Sequence, residues 1–320
     1  MRLGITLGGG GARGSAHIGA LEEILAMGFK PDLITGTSIG GLIGAMLAAN
    51  YSTDQMTHIM HTMKPSIMYG LPTTGNSVIT NERVRAFIQQ NLEEHFGDLL
   101  STRELKRVRF SDLDIPLAVV AADLVTKREV ILDEGDLLQA LLASISVPIL
   151  FPPIEVGQRR LVDGGMVNNL PFNVARARGA TFTIAIDLSN SAPYGTEPPS
   201  TQDQSIFDMG FSGVMDGRLL DQALYQATRR PLWQVITSVI DIVNAQNTQL
   251  NLALSPPDVL IQPEVGTIGL LDFDTIDKGV QAGREAAREA RPKLERLQET
   301  MEHERENEQK AASRYAKKRK

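Results

Sequence analysis

The apolar positions of this 320-residue chain switch repeatedly between two spacings. Short apolar runs bounded by turn-forming residues read as strands at 2–7, 33–35, 117–122, 129–132, 181–187 and 259–262. Between them, apolar residues recur at helical spacing over 15–27, 39–50, 82–92 and 137–145. Such alternation predicts an α/β fold with helices on both faces of a sheet. Only a short turn-rich link, 123–128, separates the third and fourth runs, so a hairpin is expected there and the sheet is expected to be mixed. Two stretches rich in Gly, Pro and polar residues, 64–81 and 190–204, read as loops. After about residue 275 the pattern is helical and highly charged, with a thin apolar stripe at Ile276, Val280, Ala287 and Leu294. The expected organisation is one domain over 1–290 and a charged helical tail over 291–320, without internal repeats.

Composition narrows the class. With 42% hydrophobic and 22% charged residues, the chain is long enough to bury a core. The absence of cysteine excludes disulfides, thiolate metal sites and a cysteine nucleophile. The longest apolar runs are too short to span a bilayer. The N-terminus reads as a strand followed by glycines and not as a signal peptide, so a cytoplasmic location is expected and the sequon at Asn50 is a chance match. The net charge is −6, although residues 310–320 carry only bases (Lys310, Arg314, Lys317, Lys318, Arg319 and Lys320). The body is therefore acidic, which argues against a nucleic-acid partner. The basic end is either a solvated tail or a peripheral contact to the inner membrane surface.

Residues 8–14 read Gly-Gly-Gly-Gly-Ala-Arg-Gly between a strand and a helix. Glycines there let a ligand approach bare backbone N–H groups at a helix N-terminus. Gly9, Gly11 and Gly14 match the dinucleotide fingerprint, but the acid expected about 20 residues on should close the second strand, and Asp32 precedes it. A phosphate-binding P-loop would need a lysine after the last glycine, where Ser15 stands. The remaining readings are an oxyanion hole for acyl transfer and a plain packing loop.

Residues Gly36-Thr37-Ser38-Ile39-Gly40 form a G-x-S-x-G pattern between a strand and an apolar helix. That context is a nucleophile elbow, with the serine exposed at a helix N-terminus and small residues two positions away on each side. A nucleophilic serine needs a base. None of the five histidines fits a triad: His17 lies on the first helix, His58 and His61 share a helix face without a third metal ligand, His95 reads as surface, and His303 sits in a charged run. Asp163, at a strand end before Gly164 and Gly165, is the stronger candidate. Partial burial would raise its pKa from about 3.9 and make it a better base, while a turn-forming Asp-Gly is the structural alternative.

These three pieces in this order resemble the patatin-like phospholipase family. The resemblance covers about residues 1–290. It rests on the glycine-rich motif Gly9, Gly10, Gly11, Ala12, Arg13 and Gly14, the elbow from Gly36 to Gly40, and the base motif Asp163-Gly164-Gly165. It continues in Ser144-x-x-x-Pro148, in Phe151-Pro152-Pro153 and in the stretch from Phe273 to Gly283. The chain is most similar to compact, single-domain bacterial members. The resemblance implies a three-layer α/β/α fold around a central mixed, mostly parallel sheet. It implies a Ser38–Asp163 dyad, an oxyanion hole from the glycine motif, and acyl-ester hydrolysis on phospholipids or lysophospholipids without metal or cofactor. Residues 231–243 carry an amphipathic pattern (Leu232, Val235, Ile236, Val239 and Val243) with the single tryptophan, Trp233, at its start. It reads either as a core-facing helix or as an interfacial lid. Two other classes remain: a non-catalytic regulator on a hydrolase scaffold, and a dinucleotide-binding oxidoreductase.

Overall fold

The computed structural model describes residues 1–63, 82–97, 101, 107–148, 150–189 and 231–318. The expected loops at 64–81 and 190–204 lie outside the described residues. The elements in chain order are β1 (Leu3–Leu7), α1 (Ser15–Ala26), β2 (Leu33–Thr37), α2 (Ile39–Ala48), α3 (Thr53–Thr62), α4 (Glu82–His95), β3 (Leu117–Asp123), β4 (Arg128–Leu132), α5 (Leu137–Ser144), β5 (Ile154–Val156), β6 (Arg159–Asp163), α6 (Phe172–Ala177), β7 (Phe182–Ile186), α7 (Pro231–Leu254), β8 (Val259–Ile261), α8 (Ile276–Glu289) and α9 (Arg291–Lys318). Each strand and helix expected from the apolar spacing is present. β5 and α6 were not expected, because three and six residues are too few to show a period.

The strands form one sheet in the order β5-β6-β3-β2-β1-β7-β8, with β4 paired to β3 off that path. β1, β2, β3, β7 and β8 run parallel. β4 and β6 run antiparallel to β3, and β5 antiparallel to β6, so the sheet is mixed. β1, β2, β3 and β7 are buried along their whole length, as strands covered on both faces must be. Leu3, Ile5, Leu7, Ile34, Val119, Ala121, Ile184 and Ile186 point into a large core shared with α1, α2 and α8. The intervening Leu33, Ala118, Val120 and Ala185 meet Phe172, Val174 and Ala175 of α6 on the other face. The result is a three-layer α/β/α fold.

One feature of register positions the site. β2 pairs with β3 up to Thr37↔Val120, and β6 pairs with β3 from Ala121↔Asp163 onward. Because β4 occupies the other edge of β3 over Val119–Asp123, β2 and β6 must share one edge. They run in opposite directions and end against each other. The residue that follows β2 is Ser38, and the last residue of β6 is Asp163.

The outer layer is held by a close helix crossing. A Cβ on Gly19 would lie 1.9 Å from the carbonyl oxygen of Val280, and one on Gly283 would lie 1.9 Å from that of Ala16. Arg284–Glu22 (2.7 Å) and Arg288–Glu23 (2.7 Å) flank the crossing of α1 and α8 at the surface. Leu294 and Leu297 of α9 are buried in the same core, so the first turns of the charged tail belong to the folded body. Among the described residues, no helix is long and apolar enough to cross a membrane.

The crossing decides what Gly283→Ala should do. Alanine gains up to about 1 kcal/mol in helix propensity, but its methyl group meets backbone that cannot turn aside, and overpacking of that kind costs about 1–3 kcal/mol. Thermal melting should show a net loss of several degrees for Gly283→Ala. Arg284→Ala, which breaks only a surface pair, should shift the midpoint far less.

Candidate active site

The serine elbow is built by close packing. A Cβ on Gly40 would lie 2.2 Å from the carbonyl oxygen of Leu7 and 2.6 Å from that of Gly8, and one on Gly36 would lie 2.5 Å from the backbone of Gly40. Only glycine lets α2 start this close to β1 and β2. Ser38 itself takes φ 55° and ψ −125°, a conformation that L-residues adopt only when their surroundings enforce it. Its N–H donates to Ser144 Oγ (2.9 Å), and Ser144 Oγ donates in turn to the carbonyl oxygen of Val120 (2.7 Å). The strained turn is thus fastened to β3 through a buried serine of α5.

Ser38 and Asp163 line the same cavity, and the Ser38 side chain acts on the Asp163 carboxyl as a polar neighbour that lowers its pKa. Asp163 is held from both sides: its N–H donates to the carbonyl oxygen of Ser146 (2.9 Å), and its Oδ1 accepts from the N–H of Gly165 (2.7 Å). Burial pushes the carboxyl up to about 6, against the opposing hydrogen bonds from Ser38 and Gly165. The turn-forming role of Asp163 is also real, since it caps the short 3₁₀ turn Gly164–Met166.

The glycine motif closes the other side of the site. Gly9, Gly10 and Gly11 line a cavity with Ser38 and Asp163. The N–H of Gly9 donates to the carbonyl oxygen of Asn169 (3.1 Å) and that of Ala12 to the carbonyl oxygen of Leu270 (2.8 Å). Those two N–H groups are engaged within the fold, although the expectation gave Gly9 and Ala12 to the oxyanion hole with the rest of the motif. Among the described residues, no acceptor is recorded for the N–H groups of Gly10 and Gly11. Gly14 packs against Ile39 at the root of the elbow. Arg13 is almost wholly buried. Its Nε donates to the carbonyl oxygen of Ile268 (2.8 Å), and its two terminal nitrogens reach the two carboxylate oxygens of Asp241 on α7 (3.2 Å each). The guanidinium therefore ties the loop to α7.

The cavity is narrow, with a volume of about 70 Å³. Its walls are largely apolar, including Leu42, Met63, Val84, Ile88 and Phe151, and its polar groups are few: Ser38, Asp163, Asn169, Asn244 and the glycine backbone. Asn169 and Asn244 carry no motif signal. Asn169 follows the Asp163 turn, and its Nδ2 donates to the carbonyl oxygen of Gly9 (3.3 Å).

The histidines lie elsewhere. His17 is fully buried, its Nε2 donates to the carbonyl oxygen of Gly8 (2.7 Å), and burial pushes its pKa down to about 4, which keeps the ring neutral. His61 pairs with Asp277 at the surface, and His95 stacks on Tyr51. Asp32 accepts from the N–H of Leu3 (2.7 Å), at the opposite end of β1 from the glycine loop, and so serves the fold. Among the described residues, no three His, Asp or Glu side chains are grouped as a metal site would require.

An α/β/α sheet with a serine on a strand–helix elbow, sharing one cavity with a buried carboxyl and a glycine loop, defines the class of protein. The family model described as Patatin-like phospholipase matches residues 5–176, and the chain belongs to that family. An uncharacterized NTE family protein of Mycobacterium tuberculosis is 32% identical over 292 residues, 88% of this chain and 45% of the relative. Patatin-like phospholipase domain-containing protein 6 of Homo sapiens is 29% identical over 198 residues, 59% of this chain and 13% of that protein. The chain therefore spans less than half the length of these relatives. Among solved structures, VipD from Legionella pneumophila aligns with a TM-score of 0.48 at 14% identity, covering 92% of this chain and 67% of that one.

Burial of Asp163 has a consequence for stability. A carboxyl raised to about 6 when folded, against 3.8 when unfolded, favours the folded state through its protonated form. That contribution is complete below the unfolded value and is lost as pH rises through about 6. Asp163→Asn carries no such penalty. Its melting temperature relative to the parent should therefore rise from about pH 4 to about pH 8, with a gain in stability of at most about 3 kcal/mol. A difference independent of pH would mean that the carboxyl titrates normally.

Proposed function

We propose that the chain is a serine lipid acyl hydrolase of the phospholipase A, lysophospholipase or carboxylesterase type, working through a Ser38–Asp163 dyad. The observation that carries this reading is the meeting of the elbow serine, Ser38, and a buried carboxyl, Asp163, at adjoining strand ends in one largely apolar cavity. Family membership supports lipid acyl hydrolysis in general.

In the proposed reaction Ser38 Oγ attacks the ester carbonyl carbon while its proton passes to Asp163. The carbonyl oxygen becomes an oxyanion facing the N–H groups of Gly10 and Gly11, and one such donor is typically worth about 2.7–4 kcal/mol of barrier. Collapse of the tetrahedral adduct expels the alcohol, which takes the proton from Asp163 and leaves the acyl group on Ser38. Asp163 then accepts a proton from water as the water oxygen attacks the acyl carbonyl. Ser38 leaves with that proton, and the fatty acid departs. The raised pKa suits the base, because a carboxylate near its usual value would draw a proton from serine far less readily. The apolar walls take the acyl chain, and no step requires a metal or a cofactor.

The test joins labelling with a pH profile. A fluorophosphonate should modify Ser38, mapped by mass spectrometry, and Ser38→Ala should abolish both labelling and esterase activity. Because Asp163 acts ionised, kcat/KM should rise with pH and level off above an apparent pKa of about 6. Alanine at His58, His61, His95 or His303 should leave activity within about twofold, since none of these side chains lines the cavity. No label on well-folded protein would sink the proposal and favour a non-catalytic regulator.

A further inference from the structure

The segment that follows the Asp163 turn reaches back to both other motifs. Its two asparagines, Asn168 and Asn169, are almost wholly buried. The carbonyl oxygen of Asn168 accepts from the hydroxyl of Thr37 (2.8 Å), one residue before Ser38. Asn169 holds the glycine loop, and it grips a single residue there by both of its backbone polar groups. The carbonyl oxygen of Asn169 accepts from the N–H of Gly9 (3.1 Å), and its Nδ2 donates to the carbonyl oxygen of Gly9 (3.3 Å). The fit is close: a Cβ on Gly9 would lie 2.5 Å from Asn169 Oδ1. Any side chain at position 9 would push the amide away, so loop and clamp are matched to each other.

Peptide geometry carries this clamp one residue further. The peptide between Gly9 and Gly10 is trans, and the C=O and N–H of a trans peptide point in opposite directions. Fixing the carbonyl oxygen of Gly9 therefore fixes the N–H of Gly10 as well, turned away from the Asn169 amide. The next peptide is held in the same way: the carbonyl oxygen of Gly10 accepts from the N–H of Arg13 (3.2 Å), which directs the N–H of Gly11. Consecutive glycines need such outside support, because they have no side chains to restrict their own φ and ψ. Of the two anchors, the one on Gly9 comes from a side chain and can be removed by substitution. Gly10 and Gly11 both border the cavity of Ser38, and among the described residues no acceptor takes either N–H.

We propose that Asn169 is a positioning residue for ester hydrolysis, which holds the N–H of Gly10 toward the oxyanion that forms as Ser38 attacks. This role rests on the hydrolase reading and adds to it a residue outside the dyad and the glycine motif. Asn169 acts through the backbone of Gly9 and takes no proton in either half-reaction. An N–H that is aimed in advance stabilises charge only when the charge has formed. Loss of the clamp therefore weakens binding of the transition state and leaves binding of the intact ester in place. A clamp that served packing alone would change stability and spare the oxyanion.

The experiment compares the full chain with Asn169→Ala and Asn169→Leu, on a soluble short-chain p-nitrophenyl ester and on a trifluoromethyl ketone of the same acyl chain. The ketone adds to a nucleophilic serine as a tetrahedral oxyanion. Its inhibition constant therefore reads the oxyanion site and does not depend on the fraction of enzyme that is folded. Both variants should lose about tenfold or more in kcat, short of the roughly hundredfold to thousandfold loss when a donor is removed outright. KM should stay within about twofold, and ketone affinity should fall by the same factor as kcat/KM. Gly9→Ala, whose methyl group displaces the same amide from the other side, should show the same split and carries the test if position 169 does not tolerate change. Variants that melt earlier but keep the parent's ketone affinity would reduce Asn169 to packing and overturn the proposal, as would a loss confined to KM. A parent protein that neither cleaves the ester nor binds the ketone would remove the hydrolase reading, and this role with it.

Discussion

The site depends on two strands ending against each other along one edge of β3. Thr37 of β2 pairs with Val120, and Asp163 of β6 pairs with Ala121. Backbone hydrogen bonding alone thus places the residue after Thr37 beside Asp163, before any side chain is considered. Each surrounding device maintains that meeting. Ser144 bridges the N–H of Ser38 to the carbonyl oxygen of Val120, Ser146 receives the N–H of Asp163, and Gly36 and Gly40 allow the chain to turn away at once. The parallel half of the sheet brings in the serine and the antiparallel half brings in the carboxylate. A purely parallel sheet could not end two strands head to head on one edge.

Burial then selects which groups can do chemistry there. The same desolvation acts on Asp163 and His17 and drives both toward their neutral forms, raising the acid to about 6 and lowering the histidine to about 4. For a carboxylate that change improves its match to a serine proton. For an imidazole it removes basicity, and His17 is in any case turned to the carbonyl oxygen of Gly8. A fold this dry at its centre therefore suits an aspartate base better than a histidine one, which favours the proposed two-residue arrangement.

Much of this was legible in the sequence because it is written in local spacing. The elbow is five consecutive residues between a strand and a helix, and the glycine loop is seven. Short apolar runs placed β1, β2, β3 and β7. What was not legible depends on contacts between residues far apart in the chain. Nothing near Ala12 shows that its N–H is taken by Leu270, more than 250 positions away. Nothing in the glycine motif shows that Arg13 ends on Asp241. β5 and α6 are too short to display a period, and Ser144, Asn169 and Asn244 are ordinary residues until the fold brings them to the cavity. The pattern at 231–243 lies on a helix, α7, with the side chains of Leu232, Trp233 and Ile236 outside the described ones, and periodicity cannot say which side faces the protein. Hydrogen bonds to Arg13, Met166 and Asn168 decide that.

The buried Arg13–Asp241 pair links these levels. An ion pair largely withdrawn from water adds little net stability, and apolar residues could fill the same space. Its geometry, however, constrains two things at once. One end sets the backbone of a loop whose Gly10 and Gly11 line the Ser38 cavity, where the proposed oxyanion role would require their N–H groups to hold direction to within a few tenths of an ångström. The other end sets the rotation of α7, and with it the apolar stripe that stands outward. A hydrophobic contact would allow the helix to roll and bury that stripe, whereas a two-pronged guanidinium–carboxylate contact resists rotation. The pair thus trades stability for orientation, joining the glycine loop to the helix that brings Ile240 and Asn244 to the wall of the same cavity.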